Sequence, residues 1–115
     1  VFHRRQALIR EPRNVGDPTA AARFATAFGT SACALHAGHG RFTIGATIDE
    51  AVWWFVQLDQ GCHVQRVVEA AGAPTRWSDD DARRLAGTRG APLFGGLSLQ
   101  TLRDEIIASN PDLAG

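Results

Sequence analysis

The chain of 115 residues contains no methionine and no lysine, and only two cysteines. All twelve basic residues are arginine and are balanced by twelve acidic ones, so no net field draws the chain to nucleic acid or to a membrane surface. With alanine and glycine abundant, the missing lysine reads as coding bias rather than chosen chemistry. Cys33 and Cys62 are too few and too far apart for a disulfide framework or a Cys-x-x-Cys metal knuckle, and both read as buried free thiols. No run is apolar enough to span a bilayer and no signal peptide precedes the first element, so a cytoplasmic protein is expected. The first residue is Val1, and with no methionine anywhere the expectation is a start upstream or a non-standard one.

What is present is ordinary for a folded domain. Hydrophobic residues make up 44% and aromatic residues 8% of the chain, enough to bury a core and too much for disorder. VFHRRQAL can hold a short extended piece, and EPRNVG reads as loop because Pro12 and Gly16 punctuate it. Asp17 as N-cap, Pro18 in the first turn and Gly29 beyond the last turn predict a helix over DPTAAARFATAFG. A short buried strand is expected over Ala32–His36. A second is expected over Arg41–Ala46, with Phe42 and Ile44 on one face.

Thr47-x-x-Glu50 is a capping box that opens a long helix from Ile48 to Ala71. Ile48, Val52, Phe55, Leu58 and Cys62 fall on one face, while Trp53 and Trp54 lie partly off it, so burial on more than one side is expected. Trp53, Trp54 and Phe55 read as core or subunit interface rather than a stacking site for a ligand. Ser78 caps a helix over Asp79–Ala86, GTRGAPLFGG reads as loop, and Ser98 caps a last helix from Leu99 to Ala108. Two or three strands make a poor sheet alone, so the chain reads as part of a larger α/β layer.

The side chains that bear chemistry are the histidines. His63 reads as a helix-surface residue, and His3 lies near the terminus. His36 and His39 are three apart, and strand alternation would send them to opposite faces, which argues against a two-ligand site. His39 is the better candidate. Framed by Gly38 and Gly40, it can supply one of the three protein ligands that a catalytic zinc needs, or simply bond locally within its turn. Arg41 beside it could meet an anionic substrate, but a solvated or ion-paired arginine is the plainer reading. No complete active site is written in the chain.

The order of strand, x-x-His-Gly, strand ending in glycine, Thr-x-x-Glu-Ala and long helix resembles the C-terminal half of the class II aldolase/adducin family. The match runs over ACALHAGHGRFTIGATIDEAVWWFVQLDQGCHVQRVVEAAG, Ala32 to Gly72. The tail APLFGGLSLQTLRDEIIASNPDL resembles, more loosely, the terminal segment of longer bacterial members. The resemblance implies an α/β fold, part of an α/β/α three-layer sandwich around a mostly antiparallel sheet, assembled as a homotetramer. It also implies a divalent metal, commonly zinc, held by an upstream His-x-His pair and by the histidine of Asn-His-Gly. His39 occupies that third position.

The implied chemistry is retro-aldol cleavage, or related epimerisation, dehydration or decarboxylation, of a hydroxy-carbonyl compound that is often phosphorylated. The metal acts there as a Lewis acid, and a carboxylate or tyrosine elsewhere moves the proton.

The chain departs from this pattern in carrying Gly38 where the family has asparagine, and in lacking the His-x-His pair, the proton-transfer glutamate and the phosphate loop. Residues 1–115 are therefore expected to be one partial domain, the C-terminal portion of a domain of roughly double length, inactive as the isolated chain. The alternatives are a non-catalytic, adducin-like assembly or interaction module, and an independent small protein that folds as it stands.

Overall fold

A computed structural model describes residues 1–10 and 16–114. The loop expected over EPRNVG lies outside them except for Gly16. The elements follow the order β1 (Gln6–Ile9), α1 (Pro18–Phe28), β2 (Cys33–His36), β3 (Gly40–Thr43), α2 (Ile48–Ala71), α3 (Asp79–Arg89) and α4 (Pro92–Ser109), closed by a 3-10 turn over Pro111–Ala114. The extended piece expected near the start is thus β1.

The three strands form one sheet in the order β1-β2-β3. β1 runs parallel to β2, with Ala7 opposite Ala34 and Ile9 opposite His36. β3 runs antiparallel to β2, with Phe42 opposite Ala34 and Gly40 opposite His36. The described sheet is therefore mixed rather than mostly antiparallel. The reason is the connections: the α1 crossover returns the chain in the same direction, whereas the short turn between β2 and β3 reverses it.

Alternation along the strands gives the sheet two different faces. Ile9, Ala34 and Phe28 are buried together on one, with Ala7, Phe24 and Phe42 packed against them, so α1 covers that side. The helix starts where local chemistry demands, the Asp17 carboxylate accepting from Ala20 N–H at 2.9 Å. On the other face Arg41 pairs with Asp59 and lies over the Phe55 ring at 5.3 Å, and Thr43 Oγ1 donates to the Ala51 carbonyl at 2.9 Å, so α2 covers that side. β3 stops at Thr43, which leaves Ile44 exposed and not beside Phe42.

The α2 boundaries are those expected, and Thr47 Oγ1 accepts from Glu50 N–H at 3.1 Å. The buried stripe is not the expected one. Glu50, Trp54 and Leu58 are buried, while Ile48 is 82% exposed. Positions i, i+4 and i+8 share a face, and here the first of them is an acid whose oxygens are both occupied: Oε2 accepts from Ala46 N–H at 2.6 Å and Oε1 from Trp54 Nε1–H at 3.1 Å. A helix apolar on several sides does not reveal by hydrophobicity which stripe faces the sheet.

The two C-terminal helices are longer than expected. α3 continues through Gly87 to Arg89, and α4 begins at Pro92, so most of GTRGAPLFGG is helical and Ser98 is interior to α4. Pro92 suits the first turn. A Cβ on Gly95 would stand 3.1 Å from Trp53 Cδ1, so the glycine that looked like a helix breaker lets α4 approach α2 closely.

Cys33 is fully buried in β2 and Cys62 only half-buried on α2, and both are free thiols. Burial pushes the Cys33 thiol up to about 11 from its ordinary value of 9.0. At pH 8 its thiolate is then roughly one part in a thousand, so an aromatic disulfide reagent should titrate Cys62 in the native chain and both thiols only after denaturation. Because the folded value lies above the unfolded one, this thiol's contribution to stability is complete below pH 9 and is lost as pH rises through 11. No helix of the described residues is long and apolar enough to cross a membrane.

Candidate metal centre

The β2–β3 connection is a three-residue corner, Ala37-Gly38-His39, closed by a bond from His39 N–H to the His36 carbonyl at 3.1 Å. Gly38 has φ +71°, the left-handed region that glycine enters freely and asparagine tolerates better than most residues. The exchange of asparagine for glycine here therefore keeps the backbone path and removes only an amide. Nothing lies within 4 Å of a Cβ built on Gly38, so backbone conformation alone decides what the position accepts. Gly38→Asn should change stability by no more than about 0.5 kcal/mol, and the β-branched Gly38→Val should cost about 1–3 kcal/mol, measured by urea denaturation.

The corner presents His39 to solvent, while His36 beneath it is buried. Strand alternation had placed these two histidines on opposite faces. The structure instead sets their rings 5.2 Å apart between centroids, because the chain reverses between them and alternation no longer applies. The His39 ring lies parallel to that of Phe42, at 5.8 Å and 5° between planes. Phe24 of α1 meets Phe42 edge-on at 4.8 Å and His36 at 5.6 Å, so four rings join the corner to the core under α1.

The other candidates fall elsewhere. His63 is exposed on α2, and His3 lies 3.3 Å from Asp79 at the start of α3. Arg41 is turned away from the corner, toward Asp59 and Phe55 on α2, which bears out the ion-paired reading over the substrate one. Trp54 is core, Trp53 is half-buried against α4, and Phe55 is partly exposed beneath Arg41.

Among the described residues no group of three or more histidine, cysteine, aspartate or glutamate side chains could hold a metal ion. An accessible imidazole on a turn is nevertheless the right kind of donor for a borderline-soft divalent ion. The corner thus offers one side chain of the donor chemistry that a divalent metal site uses. The ring cluster behind His39 was missed from sequence, although pairing His36 with Gly40 would have set Phe42 opposite Ala34 and exposed it.

The model of the "Class II Aldolase and Adducin N-terminal domain" family matches residues 2–66, which is more than half of the chain. This chain belongs to the class II aldolase and adducin family. Within 76 residues it is 43% identical to "Decarboxylase NovR" of Streptomyces niveus, covering 66% of this chain and 28% of that protein. It is equally identical, over as many residues, to a "4-hydroxy-3-prenylphenylpyruvate oxygenase/4-hydroxy-3-prenylbenzoate synthase" of Streptomyces roseochromogenus subsp. oscitans, covering 27% of it. The L-fuculose 1-phosphate aldolase from Glaciozyma antarctica PI12 superposes with a TM-score of 0.84 at 26% identity, over 96% of this chain and 41% of that one. This class II aldolase family chain therefore has an aldolase-like α/β fold, and it spans little more than a quarter of the curated relatives it matches.

Proposed function

We propose that residues 1–115 are the C-terminal portion of a metal-dependent class II aldolase-type domain, and that His39 is one of its metal ligands. The observation that carries the reading is an exposed imidazole held on a left-handed glycine corner in a chain of this family. The complete domain is read as an α/β/α three-layer sandwich with a mostly antiparallel sheet, extending the small one seen here. Val64, Val67 and Val68 of α2 and Leu93 and Leu97 of α4 are exposed, and they support further layers or a homotetramer covering these faces. Two free thiols agree with a cytoplasmic setting.

The reaction is cleavage of a carbon–carbon bond beside a carbonyl, in a hydroxy-carbonyl substrate that can be phosphorylated. A retro-aldol step and a decarboxylation both have this form, which agrees with the names of an aldolase and a decarboxylase among the similar proteins. A bound zinc, or another divalent ion, would supply Lewis-acid stabilisation of the negative charge that develops on the carbonyl oxygen. His39 would hold it through a neutral imidazole nitrogen. Gly38 lets the backbone turn sharply enough to point that ring outward, and the Phe42 ring lies parallel to it. Proton transfer falls to groups outside residues 1–115.

The test is metal analysis of the full-length protein together with its sequence upstream of Val1. Stoichiometric, tightly held divalent metal and a His-x-His pair are expected. If both are missing the lyase reading fails, leaving the adducin-like assembly module that loss of the asparagine amide at Gly38 would suit. The isolated 115-residue chain should bind zinc no better than a generic histidine peptide, because one imidazole cannot match three.

A further inference from the structure

We propose that Phe42 is a positioning residue for His39, setting the direction of the imidazole through ring stacking where the backbone leaves it free. The inference rests on the reading of His39 as a metal ligand. A histidine flanked by two glycines has no side chain on either adjacent residue to restrict it. The turn bond from His39 N–H to the His36 carbonyl holds the main chain and leaves the side-chain torsions unset.

What limits those torsions is aromatic. Phe42 lies parallel to the imidazole, within the range in which offset ring pairs attract, and the buried His36 ring lies across it on a tilt. Phe42 is itself braced, edge-on to Phe24, which in turn packs on Phe28 of the same helix. The support therefore runs from α1 through Phe24 and Phe42 to the exposed imidazole. A ligand whose rotamer is already selected loses less freedom when a cation binds, and a ring pair of this kind is worth about 2–10-fold in affinity.

The test uses the full-length protein. In the metal-free state, NMR should show nuclear Overhauser contacts between the His39 and Phe42 ring protons, and His39 ring protons shifted upfield by the stacked face. Phe42→Leu should move those resonances toward the position of the exposed His63 and weaken zinc binding by about 2–10-fold. Phe42→Tyr, which keeps the ring, should retain both properties. Absence of the ring contact in the unmodified protein overturns the proposal, and this holds even if Phe42→Leu fails to fold. Unchanged zinc affinity in folded Phe42→Leu, with affinity lost in His39→Ala, overturns it as well. If His39→Ala leaves zinc affinity intact, the metal-ligand reading fails instead, and the ring contact alone then decides whether Phe42 orients His39.

Discussion

His39→Ala in the full-length protein is expected to lower zinc affinity by more than about a hundred-fold, because removing a direct ligand must exceed the 10–100-fold effect of removing a partner behind one. On the proposed lyase reading, the fall in kcat/KM for carbon–carbon cleavage should be at least as large. Measured without metal, stability should hardly move, by about 0.5 kcal/mol or less, since the ring is exposed and its loss opens no core cavity. That separation is the informative part. A residue needed for folding would lower the denaturation midpoint of the metal-free protein, whereas a ligand leaves that midpoint unchanged and lowers only the metal content and the stability that bound metal adds. His63→Ala, exposed on α2, is the control and should leave affinity, rate and midpoint unchanged. Equal zinc affinity in the two variants would remove His39 from the site.

The second large effect concerns stability. Glu50→Ala should cost about 2–3 kcal/mol, because it strands the buried Trp54 Nε1–H, worth about 1–3 kcal/mol when left unsatisfied, and removes the partner of the part-buried Ala46 N–H, which water can reach. Trp54 is only 1% exposed and meets the Phe2 ring edge-on at 6.0 Å, so Trp54→Phe keeps most of the packing and removes the N–H. It should cost less, about 1–2 kcal/mol. The double variant should fall short of the sum by about 1 kcal/mol, measured as a cycle by urea denaturation. Additive costs would mean that Glu50 and Trp54 do not act as a pair. Against the 5–15 kcal/mol typical of a domain, the Glu50 effect alone is a large fraction.

The ends of α1 and α2 were legible because they are set by short-range chemistry. Asp17 and Thr47 each accept from an N–H three residues on, and no distant contact is needed to favour that. The start of α4 was not legible. Gly95 and Gly96 argue against helix by propensity, and what overrides them is a tryptophan side chain on α2, more than forty positions earlier in the chain, to which Gly95 gives room. The buried stripe of α2 was misread for a related reason. Its first member is a glutamate, a residue that looks solvent-facing until its two hydrogen-bond donors are known.

The sequence by itself determined the family, the long helix with its cap, and His39 as the side chain to watch, because glycines around a histidine and a Thr-x-x-Glu box are written within a few consecutive residues. Only the tertiary structure decided that His36 and His39 stand side by side, that Phe42 lies parallel to the imidazole with Phe24 edge-on to it, and that Arg41 faces α2 rather than the corner. Those facts depend on strand register and on which face each helix covers. Register and facing are selected by the free energy of the whole packed core, to which residues far apart in the chain contribute together.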